Sequence, residues 1–199
     1  MTNPVTFFLS YPRSRTAWLS CYLTGMGVYC FHELWRTTPT IEAFAEAIRA
    51  KQRMGPVANA DPSNWFFVDE MAEAFPEAQF IEILRPQEAV AASLAKSYGP
   101  GEYRLLLDAY QVAMDRHQQT ASAYIPYGDW DADLSQAIWM RTTGGGMPFD
   151  EEWHRRCHTL NIQLTAAQIQ QDWEDAENGR LAHLTAQVSR YLGGVTWVP

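Results

Sequence analysis

Val5-Thr6-Phe7-Phe8-Leu9-Ser10-Tyr11-Pro12-Arg13-Ser14-Arg15-Thr16-Ala17-Trp18-Leu19 decides how the chain is read. Val5 to Leu9 is a short apolar β-type run in which Phe7, Phe8 and Leu9 are continuous, the pattern of a strand buried on both faces. Ser10 to Thr16 is polar and carries two arginines and two hydroxyls. From Ala17 to Met26, Trp18, Leu19, Tyr22, Leu23 and Met26 recur at helical spacings of three and four. Strand, cationic polar turn and helix start make an anion cradle. The first helical amides have no intrahelical partner, and the helix dipole places partial positive charge there. The stretch therefore predicts a bound phosphate or sulfate ester.

The same alternation continues downstream. Val28–Phe31 is a second β-type run, with His32-Glu33 at its end. Thr38 followed by Pro39 predicts an N-cap and first helical residue for a helix to about Arg53. Residues 55–64 read as loop, and Trp65–Val68 as a third strand ending in Asp69-Glu70. After a short helix or turn over 71–75, Gln79–Leu84 is a fourth strand ending at Arg85, and Pro86 opens a helix to about Lys96. Gly99-Pro100-Gly101 breaks the chain. A helix over about 102–119, a weaker fifth strand over 121–126, and helices over 133–141, 150–160 and 166–192 (broken at Gly179) complete the pattern. Strands alternating with helices predict an α/β fold, a three-layer α/β/α sandwich on a mainly parallel sheet of about five strands. Ligands in such sheets bind beyond the strand C-termini. Arg13, His32-Glu33, Asp69-Glu70 and Arg85 all stand at predicted strand ends. We read residues 1–199 as one domain, with 1–98 a nucleotide-binding core and 99–199 a helical cap and C-terminal elements.

Composition narrows the partners. The 199 residues are 47% hydrophobic and 13% aromatic, ample for a core, and the net charge is −8. That balance argues against non-specific binding to nucleic acid or anionic membranes, whose affinity comes from clustered Lys and Arg. Cys21, Cys30 and Cys157 are odd in number and not spaced as a metal site, so they read as reduced thiols of a cytoplasmic protein. No run reaches the roughly 18 apolar residues of a membrane span. Composition does not select an oligomeric state.

The Ser10–Trp18 loop lacks the glycines and lysine of the nucleotide-triphosphate loop Gly-x-x-x-x-Gly-Lys-Ser/Thr. It resembles instead the 5′-phosphosulfate-binding loop of the sulfotransferase family, Ser/Thr-Tyr-Pro-Lys/Arg-Ser-Gly-Thr-Thr-Trp. Arg15 replaces the glycine and Ala17 the second threonine. Arg15 either hinders the approach of the backbone to the ligand or adds a second cation. The family's 3′-phosphate site has an Arg closing a strand and a Ser eight residues on; Arg85 and Ser93 have that spacing. Many bacterial members carry Lys where Glu70 stands. Cys30-Phe31-His32-Glu33 resembles the family's Cys-Gly-Glu-Glu-like stretch, which places Glu33 as general base, with His32 the second choice.

The resemblance covers residues 5–95 and implies a P-loop-like strand order 2-3-1-4-5. It implies transfer of a sulfuryl group from 3′-phosphoadenosine 5′-phosphosulfate (PAPS) to a hydroxyl or amine of a small-molecule acceptor, without a metal. Arg13, Ser14, Arg15, Thr16, Ala17, Trp18, Arg85 and Ser93 would hold the nucleotide. Glu33, His32 and Arg13 would carry the chemistry. The other readings are a repurposed anion- or nucleotide-binding protein of the same fold and a small-molecule kinase in which Asp69-Glu70 holds a metal. His154 and His158 share a helix face beside Cys157 without an evident third ligand, and read as structural or solvated.

Overall fold

The computed structural model describes residues 2–98, 103–128, 130–160 and 166–194. Five parallel strands form the sheet: β1 (Val5–Ser10), β2 (Tyr29–His32), β3 (Val57–Ala60), β4 (Gln79–Leu84) and β5 (Ala123–Pro126), in the order β2-β3-β1-β4-β5. The helices are α1 (Thr16–Gly25), α2 (Ile41–Gln52), α3 (Val68–Ala74), α4 (Gln87–Tyr98), α5 (Arg104–His117), α6 (Ala132–Thr143), α7 (Glu151–His158), α8 (Ala166–Glu177) and α9 (Ala182–Tyr191). The three-layer α/β/α architecture is as the sequence pattern predicts, and the strand order is the one the resemblance implies.

β1 lies at the centre and alternates between two cores. Phe7 and Leu9 face a cluster built with Phe44 and Ile48 of α2, Met71 of α3, Leu94 of α4, Tyr110 of α5 and Val188 of α9. Phe8 faces the other side, with Trp18, Leu19 and Tyr22 of α1, Ile138 of α6 and Cys157 of α7. Phe7, Phe8 and Leu9 are fully buried, and each contributes roughly 1.5–3 kcal/mol relative to exposure. Residues beyond 103 thus supply the edge strand β5 and part of both helical layers. The Gly99-Pro100-Gly101 break lies outside the described residues. Among the described residues no helix is long and apolar enough to cross a membrane.

The third strand is not where the sequence pattern puts it. Val57-Ala58-Asn59-Ala60, read as loop, pairs with β1 and β2. Trp65–Val68, read as the strand, lies in a 3₁₀ turn over Pro62–Phe67 and the start of α3. Ala and Asn are poor strand formers, but here they fit a crowded centre. Ala58 and Ala60 are fully buried in the cluster that holds Trp18 and Leu19 of α1. Asn59 donates to Asn64 Oδ1 at 2.8 Å, and Asn64 Nδ2 donates to the Phe8 carbonyl at 2.9 Å. The 3₁₀ turn has its own sequence signal: Asp61 caps it by accepting from Ser63 N at 2.9 Å, with Pro62 as its first residue.

The cap of α2 also shifts. Thr40 is the N-cap and accepts from Ala43 N at 3.3 Å. The Thr38 hydroxyl instead donates to the Leu34 carbonyl at 2.8 Å, closing a 3₁₀ turn over Leu34–Arg36. Asp69 and Glu70 are likewise not at a strand end. They occupy the first turn of α3, where Asp69 accepts from Arg116 at 3.1 Å and lies 3.6 Å from His117, and Glu70 accepts from Gln187 at 3.3 Å. The acid that follows β3 is Asp61.

Candidate functional site

At the C-terminal rim of the sheet the chain leaves β1 at Tyr11, β2 at Glu33, β3 at Asp61, β4 at Arg85 and β5 at Tyr127. The backbone is strained there. Among the described residues three non-glycine residues have positive φ: Arg13 (65°), Arg15 (64°) and Glu33 (52°). All three lie on this rim. Side chains rarely adopt this left-handed region, and strain of this kind gathers at functional sites.

The β1–α1 loop builds the cation cluster. Arg15 is the residue before α1, with no side-chain cap, and the first turn of α1 holds no acidic residue. The leading amides therefore keep their partial positive charge unopposed. Arg13 Nε donates to Ser93 Oγ of α4 at 3.4 Å. The Arg85 guanidinium donates to the Arg13 carbonyl and, at 3.3 Å, to the Ala89 carbonyl. Arg13, Arg85 and Ser93, separated by up to 80 positions in the chain, thus meet at one point. Among the described residues no carboxylate pairs with Arg13 or Arg85.

Arg85 Nε is buried without a hydrogen-bond partner, and so is the hydroxyl of Ser14. Burial lowers the Arg85 pKa, the Arg13 charge adds to the effect, and Tyr127 opposes it. Two half-buried cations that no carboxylate among the described residues neutralises, beside orphan donors, are groups that an anion could pair with.

The other predicted loop residues divide. The Trp18 indole turns into the core, stacked on Tyr22 at 4.8 Å and donating to the Cys157 carbonyl at 3.0 Å. What Trp18 and Ala17 can offer a ligand is their backbone N–H. Thr16 Oγ1 lies 3.2 Å from His32 Nε2. Arg15 reaches across to the turn after β5, donating to the Gly128 carbonyl at 2.5 Å, with its guanidinium 4.5 Å from the centre of the Trp18 ring.

The β2 side carries the candidate base. Glu33 Oε2 accepts from Arg36 at 3.3 Å, and Arg36 is shared with Asp175 of α8 at 3.2 Å. His32 Nε2 lies 3.9 Å from Glu33 Oε1. Burial lowers the His32 pKa most; Glu33 opposes this and Arg36 adds to it. The imidazole is therefore neutral at pH 7 and able to accept a proton.

Next to the turn after Glu33 sits Asp61, which sequence reasoning missed because its strand was read as loop. Its side chain accepts from Trp35 N at 3.1 Å and Ser63 N at 2.9 Å. Burial, and then the Glu33 carboxylate, push its pKa up to about 7. Asp61 thereby fixes the 3₁₀ turn that follows Glu33. The turn is held further by Trp35, whose ring is stacked between Phe44 (4.0 Å) and Phe67 (3.8 Å).

Among the described residues no three His, Cys, Asp or Glu side chains gather as a metal site. His154 Nδ1 pairs with the Tyr22 hydroxyl at 3.0 Å between α1 and α7, a structural contact. Neither a family model nor a curated protein sequence matches the chain.

Proposed function

We propose that the protein is a sulfotransferase-like enzyme that moves a sulfuryl group from PAPS to a hydroxyl or amine of a small molecule. The observation that carries this reading is the meeting of Arg13, Arg85 and Ser93 beyond the strand C-termini, with no acid among the described residues to neutralise the two arginines. One anionic group of the nucleotide takes the α1 amides, Ser14 and Arg13. The second, the 3′-phosphate, takes Arg85 and Ser93. Arg binds phosphate with paired donors, which suits it to such a subsite.

The acceptor oxygen or nitrogen attacks sulfur in line with the bond to the 5′-phosphate. The new bond to sulfur forms as the sulfur–oxygen bond to the phosphate breaks. The acceptor's proton passes to Glu33 or His32, and 3′,5′-adenosine bisphosphate leaves. Charge developing on the leaving phosphate falls on Arg13 and the helix-start amides, donors fixed before reaction. A positioned base of this kind contributes roughly 10²–10⁴-fold.

Isothermal titration with 3′,5′-adenosine bisphosphate, and with adenosine triphosphate with and without magnesium, tests the reading. Magnesium-independent binding of the bisphosphate is expected. Preference for magnesium–triphosphate points to the kinase, and failure to bind either nucleotide points to a repurposed fold. Each of these outcomes overturns the proposal.

A further inference from the structure

Arg15 has a left-handed backbone, φ 64°, immediately before α1. Glycine adopts this conformation without strain. The chain places a long cation there instead, and its destination is specific. Nη1 donates to the carbonyl of Gly128 in the turn after β5, and the guanidinium lies over Trp18. That turn is tied down at other points. Tyr127 N donates to the Leu84 carbonyl at 2.8 Å, and Trp130 Nε1 donates to the Pro126 carbonyl at 2.8 Å. The Trp130 ring meets Trp18 edge-on at 5.4 Å. Tyr127 carries the Arg85 guanidinium on its ring face at 4.1 Å. Arg85 in turn donates to the Arg13 carbonyl. The contacts close a ring from Arg15 through Gly128, Tyr127, Arg85 and Arg13 back to the loop.

We propose that Arg15 is a positioning residue: it straps the β5 turn to the anion loop and so holds Tyr127 against Arg85. This inference rests on the proposed function in assigning Arg85 to the 3′-phosphate. Arg85 follows an exposed Leu84 near the edge of the sheet. Its guanidinium would swing if the Tyr127 face moved, and a rotating guanidinium loses the paired geometry that phosphate requires. The strap therefore acts on recognition of the 3′-phosphate, two contacts away from Arg15 itself. Arg15 contributes by fixing its neighbours, neither blocking the site nor binding the anion directly.

The test compares wild type with Arg15→Gly and Arg15→Lys. Glycine relieves the strain at φ 64°, so the variant keeps its fold. Amide hydrogen exchange, without ligand, is followed in the peptide spanning 124–130. Affinities for 3′,5′-adenosine bisphosphate and for adenosine 5′-monophosphate are measured by titration. We expect Arg15→Gly to raise exchange in that peptide. The preference for the bisphosphate over the monophosphate should fall about fivefold or more, the lower end of an energetic coupling between sites. Arg15→Lys should restore part of both.

Unchanged exchange, tighter bisphosphate binding by Arg15→Gly, or an equal loss for both nucleotides overturns the strap. The second of these would mark Arg15 as an obstruction and the third as a direct ligand of the 5′ group. A wild-type protein that binds neither nucleotide overturns the proposed function, and the exchange measurement then decides the strap by itself.

Discussion

Replacing Asp61 by Asn should change how stability depends on pH. Asp61 is buried, and its pKa rises from 3.8 to about 7, through burial first and the Glu33 carboxylate second; hydrogen bonds from Ser63 and Trp35 work against that rise. Between those two values the folded protein holds a proton that the unfolded chain has lost. Stability contributed by this group therefore falls as pH rises. From pH 5 to pH 7 the loss amounts to about 2 kcal/mol, from 1.36 kcal/mol per pKa unit of differential binding.

Asn mimics the protonated acid in offering one strong acceptor, and it does not titrate. Half-buried His32 and buried His117 and His154 have lowered pKa values. Their contribution has the opposite sign, rising with pH up through 6.5, so the profile of the wild type alone is a mixture. The difference between wild type and Asp61→Asn cancels the histidines. Urea denaturation at pH 5, 6 and 7, with equal slopes in both proteins, should show wild type losing about 2 kcal/mol relative to the variant over that range. A difference that stays constant with pH refutes the reasoning, and with it the raised pKa of Asp61.

Trp35→Ala removes a fully buried ring stacked between Phe44 and Phe67. It should cost about 3–5 kcal/mol in denaturant unfolding; a loss below about 1 kcal/mol would mean the site collapses around the gap. Arg85→Ala should weaken bisphosphate binding by more than ~1.5 kcal/mol, the lower end for a charged hydrogen bond, and leave adenosine 5′-monophosphate unaffected. Equal titration curves for wild type and variant would remove Arg85 from the site. Glu33→Gln should preserve bisphosphate binding and lower turnover by roughly 10²–10⁴-fold. If turnover survives in Glu33→Gln and is lost in His32→Asn, the base is His32, and the acid limb of its rate profile should lie below 6.5, because the His32 pKa is lowered.

Most of the sheet, and the meeting of Arg13, Arg85 and Ser93 at its rim, were legible because local chemistry marks them. A largely apolar strand, an arginine just past its end and a helix start behind it recur at β1 and β4, and the Arg85–Ser93 spacing fits a strand end facing the first turns of the next helix. β3 was illegible for a local reason. Its Ala and Asn residues answer to the crowding of α1 and to the Asn59–Asn64 pair, which only the folded neighbourhood supplies. Asp61 was hidden with it, although Asp61-Pro62 carried a cap signal that a different reading of 57–60 would have used. Positive φ at Arg13, Arg15 and Glu33 has no sequence signature, since each of these residue types normally avoids that region. The reach of Arg15 to Gly128 depends on a contact across 113 positions, beyond any pattern in the loop itself.

The two sides of the rim are therefore built in different ways, and under the proposed function this bears on where acceptor choice resides. Arg13, Ser14, Arg85 and Ser93 are delivered by β1, β4 and the helices that follow them directly. Glu33 is delivered by β2 but held by distant parts of the chain. Asp175 of α8 shares Arg36 with it, and His183 of α9 meets the Trp35 carbonyl. A change in α8 or α9 thus reaches Glu33 through Arg36 and Trp35 without touching the cation cluster. On that wiring the cation cluster is positioned without α8 or α9, and these C-terminal helices bear on the geometry at Glu33, the side that the proposed function assigns to the acceptor.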